Sequence, residues 1–225
     1  MSRGLQPCKD ALVPHNPWPL RDLRITTPRL VLRYPSDNEL AILAEVAAAG
    51  IHLPGERAYL TPWTEGTPQQ TAAHVVQQHR DRREGWTPDA WALELAVVVD
   101  DQPIGMVALR AREFAVLREV TTESWLGLEY HRQGYGTEAR AALLHFAFEH
   151  LGAESARTDV FQDNAGSQGV SRRLGYRWDG ISRDIRDGEV AISDRLRLDR
   201  ADWYGPERET VVVDGLAGAL PFFGL

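Results

Sequence analysis

Apolar positions change period several times along this chain, and each change marks an element. Arg24–Arg33 alternates polar with β-branched residues, which predicts one strand with an edge or bulge at Pro28. Ser36 followed by Glu39 is a capping box opening a helix over Asp37–Ala49, and Gly50 closes it. A loop rich in Pro and Gly over 50–67 carries Tyr59 and Trp63. Thr67 as N-cap, Pro68 and Gln70 then start a second helix reaching to about Glu84. Ala90–Asp100 and Ile104–Arg112 read as strands joined through a turn at Asp100–Pro103, and Glu119–Leu128 as another.

Beyond Gly134 and Gly136 the period becomes helical, with Ala139, Leu143, Phe146 and Ala147 on one stripe ending near Gly152. A strand Ser155–Phe161, a short helix over 164–174 and two strands, Tyr176–Asp187 and Val190–Leu198, follow. Asp187-Gly188 is a hairpin turn dipeptide. The order β-α-α-β-β-β-α-β-α-β-β predicts an α/β fold (α+β mixed sheet). Residues 1–23 read as an N-terminal arm that Trp18 and Leu20 can pin, 24–204 as the domain, and 205–225 as an apolar tail. Val211–Val213 in that tail reads as a strand, and Leu220–Phe223 as a patch in need of cover. Either could join another copy in a homo-oligomer or fold back on its own domain.

Composition narrows the function. A net charge of -7 and a pI near 5.5 argue against a nucleic-acid or membrane-surface binder. A single cysteine, Cys8, fits a reducing compartment, so the cytoplasm is expected. No apolar run approaches the roughly 18 residues of a membrane span. His74 and His79 are five apart on a helix with no third ligand beside them, so no metal is expected.

The candidate chemistry lies where the Glu119–Leu128 strand runs through Glu129-Tyr130-His131-Arg132-Gln133-Gly134-Tyr135-Gly136-Thr137 into a helix. Glycines let the backbone approach a ligand, and a helix N-terminus attracts a phosphate or pyrophosphate. Arg132 adds a cation and Thr137 a hydroxyl. Three readings fit the glycines alone. They cap a helix, they begin a dinucleotide fingerprint (Gly134-x-Gly136-x-x-Ala139), or they cradle another phosphorylated ligand. The dinucleotide reading suffers from its late position in the chain, and no Gly-Lys-Ser/Thr is present for a Walker loop.

With Ser124-Trp125-Leu126-Gly127, Asn164-x-x-Ser167-x-x-Val170, Leu174-Gly175-Tyr176 and the opening Thr27-Pro28-Arg29-Leu30, the chain resembles the GCN5-related N-acetyltransferases (GNAT), in their RimJ/RimL-like branch. The resemblance runs over roughly residues 24–200. It departs at His131-Arg132, where the family loop usually begins with Gln or Arg and then Gly. It implies a fold whose two neighbouring strands, here Ser124–Leu128 and Ser155–Val160, splay to admit the pantetheine arm of acetyl-CoA or another acyl-CoA, and it implies no metal. The coenzyme-binding residues would be Trp125, Leu126, Gly127, Leu128, Arg132, Gln133, Gly134, Tyr135, Gly136, Thr137, Asn164 and Ser167. The reaction would be direct attack of a primary amine (a protein N-terminus, a lysine or a small amine) on the thioester, with a backbone N–H near Leu126–Leu128 holding the oxyanion.

Family members often place a proton-donating Tyr where this chain has Ser171, so Ser167 is the candidate acid. A Glu six residues after Gly180 would be the base, but that position holds Arg186. Asp184 is the nearest substitute on its strand face, with Asp187, Glu94, Glu123 or a water chain as alternatives. Tyr59, Trp63 and Trp86 come from segments that border the acceptor cleft, and Arg172 or Arg173 could touch the ribose phosphate. A dicarboxylic donor such as succinyl-CoA would need a cation from Arg57, Arg110, Arg112 or Arg183. A non-catalytic acyl-CoA-binding module is the other function class.

Overall fold

The computed structural model describes residues 18–56, 58–205 and 211–225; Cys8, Arg57 and Glu209 lie outside them. Among the described residues nine strands form one open mixed sheet: β1 (Arg24–Thr26), β2 (Val31–Arg33), β3 (Ala90–Val99), β4 (Gln102–Arg112), β5 (Glu119–Leu126), β6 (Ser155–Phe161), β7 (Arg177–Arg186), β8 (Glu189–Asp199) and β9 (Val212–Asp214). Across the sheet they run β7-β8-β6-β5-β4-β3-β2-β1-β9. The helices are α1 (Asp37–Ala49), α2 (Pro68–Glu84), the single turn α3 (Phe114–Leu117), α4 (Tyr135–His145) and α5 (Ala165–Arg173).

Local chemistry explains most of these limits. Both capping boxes close: Ser36 with Glu39 starts α1, and Thr67 with Gln70 starts α2, with Pro68 at the first helical position. The β3–β4 hairpin turns through Asp100 and Asp101 at φ 48° and 63°, and β7–β8 through Asp187 and Gly188 at 52° and 80°. Two successive positive φ values match the twist of paired strands, so both turns keep the strands in register.

One expectation changes, and of the two readings of the tail one is seen. Arg24–Arg33 is two strands, because Thr27 N–H donates to Leu30 O at 2.9 Å and folds the chain back at Pro28-Arg29. The apolar tail folds onto its own domain: β9 pairs with β1, and Trp86 Nε1 donates to Phe222 O at 2.8 Å. Phe223 is fully buried among Trp86, Trp91 and Phe146. Trp18 packs edge-on against Trp86 and Phe222, and Leu20 and Leu23 are fully buried, so the core begins before β1.

Two cores flank the sheet. On one face α4 and the helical turn that continues it over Phe146–His150 bring Leu143, Phe146 and Phe148 into one core with Leu93, Leu95, Val107 and Leu109. On the other, α1 and α2 bring Leu40, Leu43 and Val75 onto Ala96, Val98 and Met106. The α1–α2 pair is in contact with β3 and β4. Glu123, Asp159, Ser182 and Arg186, from the strands beyond, face the same side.

Candidate active site

The site is built on a divergence of strands. Parallel β5 and β6 pair only from Glu119↔Ser155 to Thr121↔Arg157, and Thr158 Oγ1 donates to Thr122 O at 3.1 Å where the pairing stops. Beyond that point β5 stays on β4 as far as Leu126↔Gly105, while β6 follows β8 as far as Phe161↔Ser193. A V opens between them. In an antiparallel pair, residues address alternate sides. Gly127 N–H donates to Ile104 O at 2.9 Å, so Trp125 and Glu123 also turn their backbone groups to β4. Ser124 and Leu126 turn theirs into the V.

That register sorts the expected coenzyme contacts. Leu126 keeps its N–H for the V, while its carbonyl accepts from His131 Nε2 at 3.0 Å. Gly127 N–H is spent on Ile104, and Leu128 N–H donates to Gly50 O at 2.9 Å, so neither can hold an oxyanion. Trp125 contributes no backbone group to the V, and its ring lies across the sheet against Trp63. Ser124 takes its place as an edge residue.

At the wide end of the V, Gly134 caps α4 at φ 86°, a left-handed conformation that glycine adopts without strain. The first helical bonds run from Thr137 and Glu138 N–H to Gly134 O, leaving the N–H groups of Tyr135 and Gly136 directed out of the helix end. Gln133 is held by its Nε2 donating to Glu129 O at 2.9 Å, and Arg132 is exposed at φ 60°. A second cation arrives from a distant segment. Arg29, in the β1–β2 turn, donates from Nη1 to Gln133 O at 3.1 Å and from Nε to Glu138 Oε2 at 2.6 Å. A groove of about 540 Å³ runs alongside, lined by Pro28, Arg29, Gly134, Thr137, Ala141 and Arg173. Thr137 and Arg173 thus meet Arg29 at one surface. Nothing in the local sequence of the loop announces Arg29.

α5 begins beside the V. Asn164 caps it, its Oδ1 accepting from Ser167 N–H at 3.0 Å. Ser167 is half-buried, and no hydrogen bond to its hydroxyl occurs among the described residues. Ser171, one turn further along, is fully buried and accepts from Arg140.

The opposite face carries the aromatic and acidic residues. Trp63 stacks on His74 at 4.9 Å and meets Tyr59 at 5.0 Å, and Trp63 and Tyr59 rest on the α1–α2 core. Burial pushes the Tyr59 phenol up, with the Glu123 charge adding to it. Trp86 belongs instead to the cluster around Phe223.

Glu94 is 5% exposed and accepts from His79 Nδ1 at 3.0 Å and Arg82 Nη1 at 2.7 Å. Glu123 accepts from Arg82 Nη2 at 2.8 Å and Arg110 Nη1 at 2.6 Å. Burial alone would raise Glu123, but the two guanidinium groups outweigh it and hold its carboxyl below the usual value. A carboxylate so held is a poor base.

Asp184, on β7, shares a face with Ser182 and Arg186 and is half-buried. Ser182 Oγ donates to Asp159 Oδ1 at 2.6 Å. Arg186, 7% exposed, bonds to Glu65 of the α1–α2 loop and lies over the Phe161 ring. The Arg186–Glu65 contact thereby latches the β7–β8 hairpin to the α1–α2 loop, with Asp184 on the same strand face and Asp187 at the turn. Of the cations considered for a dicarboxylic donor, Arg110 is tied to Glu123, Arg183 takes the other face of β7, and Arg112 pairs with Ala90 at the far end of β4. No cluster of three metal-ligating side chains occurs among the described residues.

The family model for the acetyltransferase (GNAT) domain matches residues 29–177. Solved structures share the fold at low identity. Mycobacterium smegmatis RimJ, in complex with a coenzyme A disulfide, is 16% identical with a TM-score of 0.61, covering 80% of this chain and 88% of its own. RimL, a ribosomal-protein alpha-N-acetyltransferase in complex with coenzyme A, is 16% identical at TM-score 0.60, covering 77% and 96%. The microcin self-immunity acetyltransferase MccE, in complex with acetyl-CoA and AMP, is 15% identical at TM-score 0.59, covering 76% and 93%.

Proposed function

That the chain belongs to the GNAT acetyltransferase family is the premise from which we propose that it moves an acetyl or other short acyl group from acyl-CoA to a primary amine by direct attack. One observation carries this: the β5 edge left open by the V runs from the end of α4 inward, so one extended ligand could use both. The pyrophosphate would rest on the N–H groups of Tyr135 and Gly136, with Arg29 and Arg132 as cations. The pantetheine amides would pair with Ser124 and Leu126 as an added strand, and Asn164 would offer its Nδ2, which has no partner among the described residues. The N–H of Ser124, the edge group nearer the narrow end of the V, would hold the oxyanion, its carbonyl serving the pantetheine.

The acceptor would enter from the face bounded by Trp63, Trp125 and the Arg186–Glu65 latch, where Asp184 is the base candidate. Ser167, whose hydroxyl is uncommitted, is the candidate for returning a proton to sulfur. The acceptor class stays broad: a protein N-terminus, a lysine or a small amine.

The test is release of coenzyme A thiol from acetyl-CoA with an amine panel, read beside the shift in melting temperature on adding acetyl-CoA. Turnover that follows one amine class supports the reading. Strong stabilisation with no turnover on any amine would favour a non-catalytic acyl-CoA-binding module, a reading kept in view by Ser171 and Arg186 at positions where the resemblance expects a Tyr and a Glu.

A further inference from the structure

Arg140 is 2% exposed, yet no carboxylate pairs with it among the described residues. Its Nη2 donates to Thr122 Oγ1 at 3.0 Å and its Nη1 to Ser171 Oγ at 3.3 Å. The guanidinium carbon lies 5.4 Å from the centre of the Tyr176 ring, whose hydroxyl shares a 2.9 Å hydrogen bond with Thr122 Oγ1. Nε is buried with no hydrogen-bond partner among the described residues. Glu94 and Arg186, also buried, each have an opposite charge in contact. A buried cation faced only by hydroxyls and a ring is costly, and such charges normally have a counter-charge.

Its position suggests what that counter-charge is. Thr122 stands where the β5–β6 pairing ends, at the narrow point of the V. A ligand arm that enters at Leu126 and pairs along β5 has run four residues by Thr122, roughly 13 Å at about 3.3 Å per residue. Its reactive end therefore arrives beside Thr122. Ser171 is a small side chain at this place, and the guanidinium fills the room it leaves.

We infer that Arg140 is the charge partner of the departing sulfur, holding coenzyme A as a thiolate at the narrow end of the V. The inference rests on the acyl-CoA reading above. As the amine nitrogen bonds to the carbonyl carbon, the C–S bond breaks and its electron pair stays on sulfur. The proton lost by the amine goes to a base or to water. Arg140 transfers nothing and supplies a fixed positive charge where negative charge develops. Ser167 or water then protonates the thiolate as it leaves.

The experiment titrates free coenzyme A bound to the full chain by the ultraviolet absorbance of its thiolate, with desulfo-coenzyme A as the control for binding. The bound thiol should ionise at least one pH unit below the free one, a tenfold shift. Arg140→Met should abolish that shift while binding desulfo-coenzyme A within twofold of wild type. A thiol that ionises in wild type as it does in free solution overturns the inference, and that result needs no variant to fold. So does an Arg140→Met protein that keeps the shift, which would assign it to the α4 end. An unshifted thiol with a succinyl-over-acetyl preference that Arg140→Met removes gives the guanidinium to an acyl carboxylate and also overturns it. Failure of both coenzyme A and desulfo-coenzyme A to bind removes the acyl-CoA reading itself.

Discussion

Replacing Phe223 with alanine should show that the C-terminal tail is part of the core. Phe223 is fully buried, with its ring 4.9 Å from Trp91, 5.6 Å from Trp86 and 6.0 Å from Phe146, all edge-on. Truncating a buried phenylalanine costs about 3–5 kcal/mol through lost transfer energy and the cavity left behind. This site should reach the upper half of that range, because the surrounding indoles are large and cannot collapse into the gap. At roughly 2–4 °C per kcal/mol for a chain of this size, the melting temperature should fall by roughly 8–20 °C. The assay is a thermal or urea melt, with molar mass in solution measured on both proteins. A loss below about 1 kcal/mol at unchanged mass would refute the packing argument. A drop from dimer to monomer on substitution would show that Phe223 is covered by another copy instead.

Other outcomes follow from the same contacts. Arg140→Met without ligand should melt no lower than wild type and up to about 2 kcal/mol higher, because a lone buried charge is exchanged for an apolar side chain; a marked loss would mean that Thr122, Ser171 and Tyr176 already satisfy it. Gly134→Ala forces a left-handed residue at a cost of about 1–2 kcal/mol, and its Cβ would lie 3.1 Å from Arg29 Nη2; calorimetric affinity for coenzyme A should fall about tenfold, and an unchanged affinity would detach the loop from the ligand. Glu123 has its carboxyl held below the ordinary 4.5, so its stabilisation is fully present above that value and fades as pH falls through its lower folded value. The stability gap between wild type and Glu123→Gln should therefore be open at pH 7 and narrow below pH 4.5; a gap independent of pH would show that charge is not the source.

The sequence made legible what is decided locally. Ser36 with Glu39 and Thr67 with Gln70 carry their own hydrogen-bond partners within four residues, and Asp187-Gly188 carries its own turn. The start of α4 was readable for the same reason, since Gly134 caps the helix that it precedes. Arg24–Arg33 misled because alternation looks the same in one strand and in two strands folded at Pro28-Arg29. The direction of Trp125 depends on which of its neighbours bond to β4, a matter of register that periodicity does not reveal. Arg29 reaches Gln133 across 104 positions, through a tertiary contact. Arg140 did leave a signal: it lies four residues after Gly136 and three before Leu143, on the core stripe of α4, where a charge is out of pattern.

In the proposed function acyl-CoA lies along β5 from the α4 end to Thr122 and yields its acyl group to an amine. Residue-resolved amide exchange on acetyl-CoA binding, with acylated amine followed in the same samples, tests it most directly. New protection is expected at Ser124, Leu126, Tyr135 and Gly136, with little change at Gly127 and Leu128, whose N–H groups are already bonded, and acylated product when amine is added. Protection confined to other elements, or product formed while these four amides still exchange freely, would contradict it.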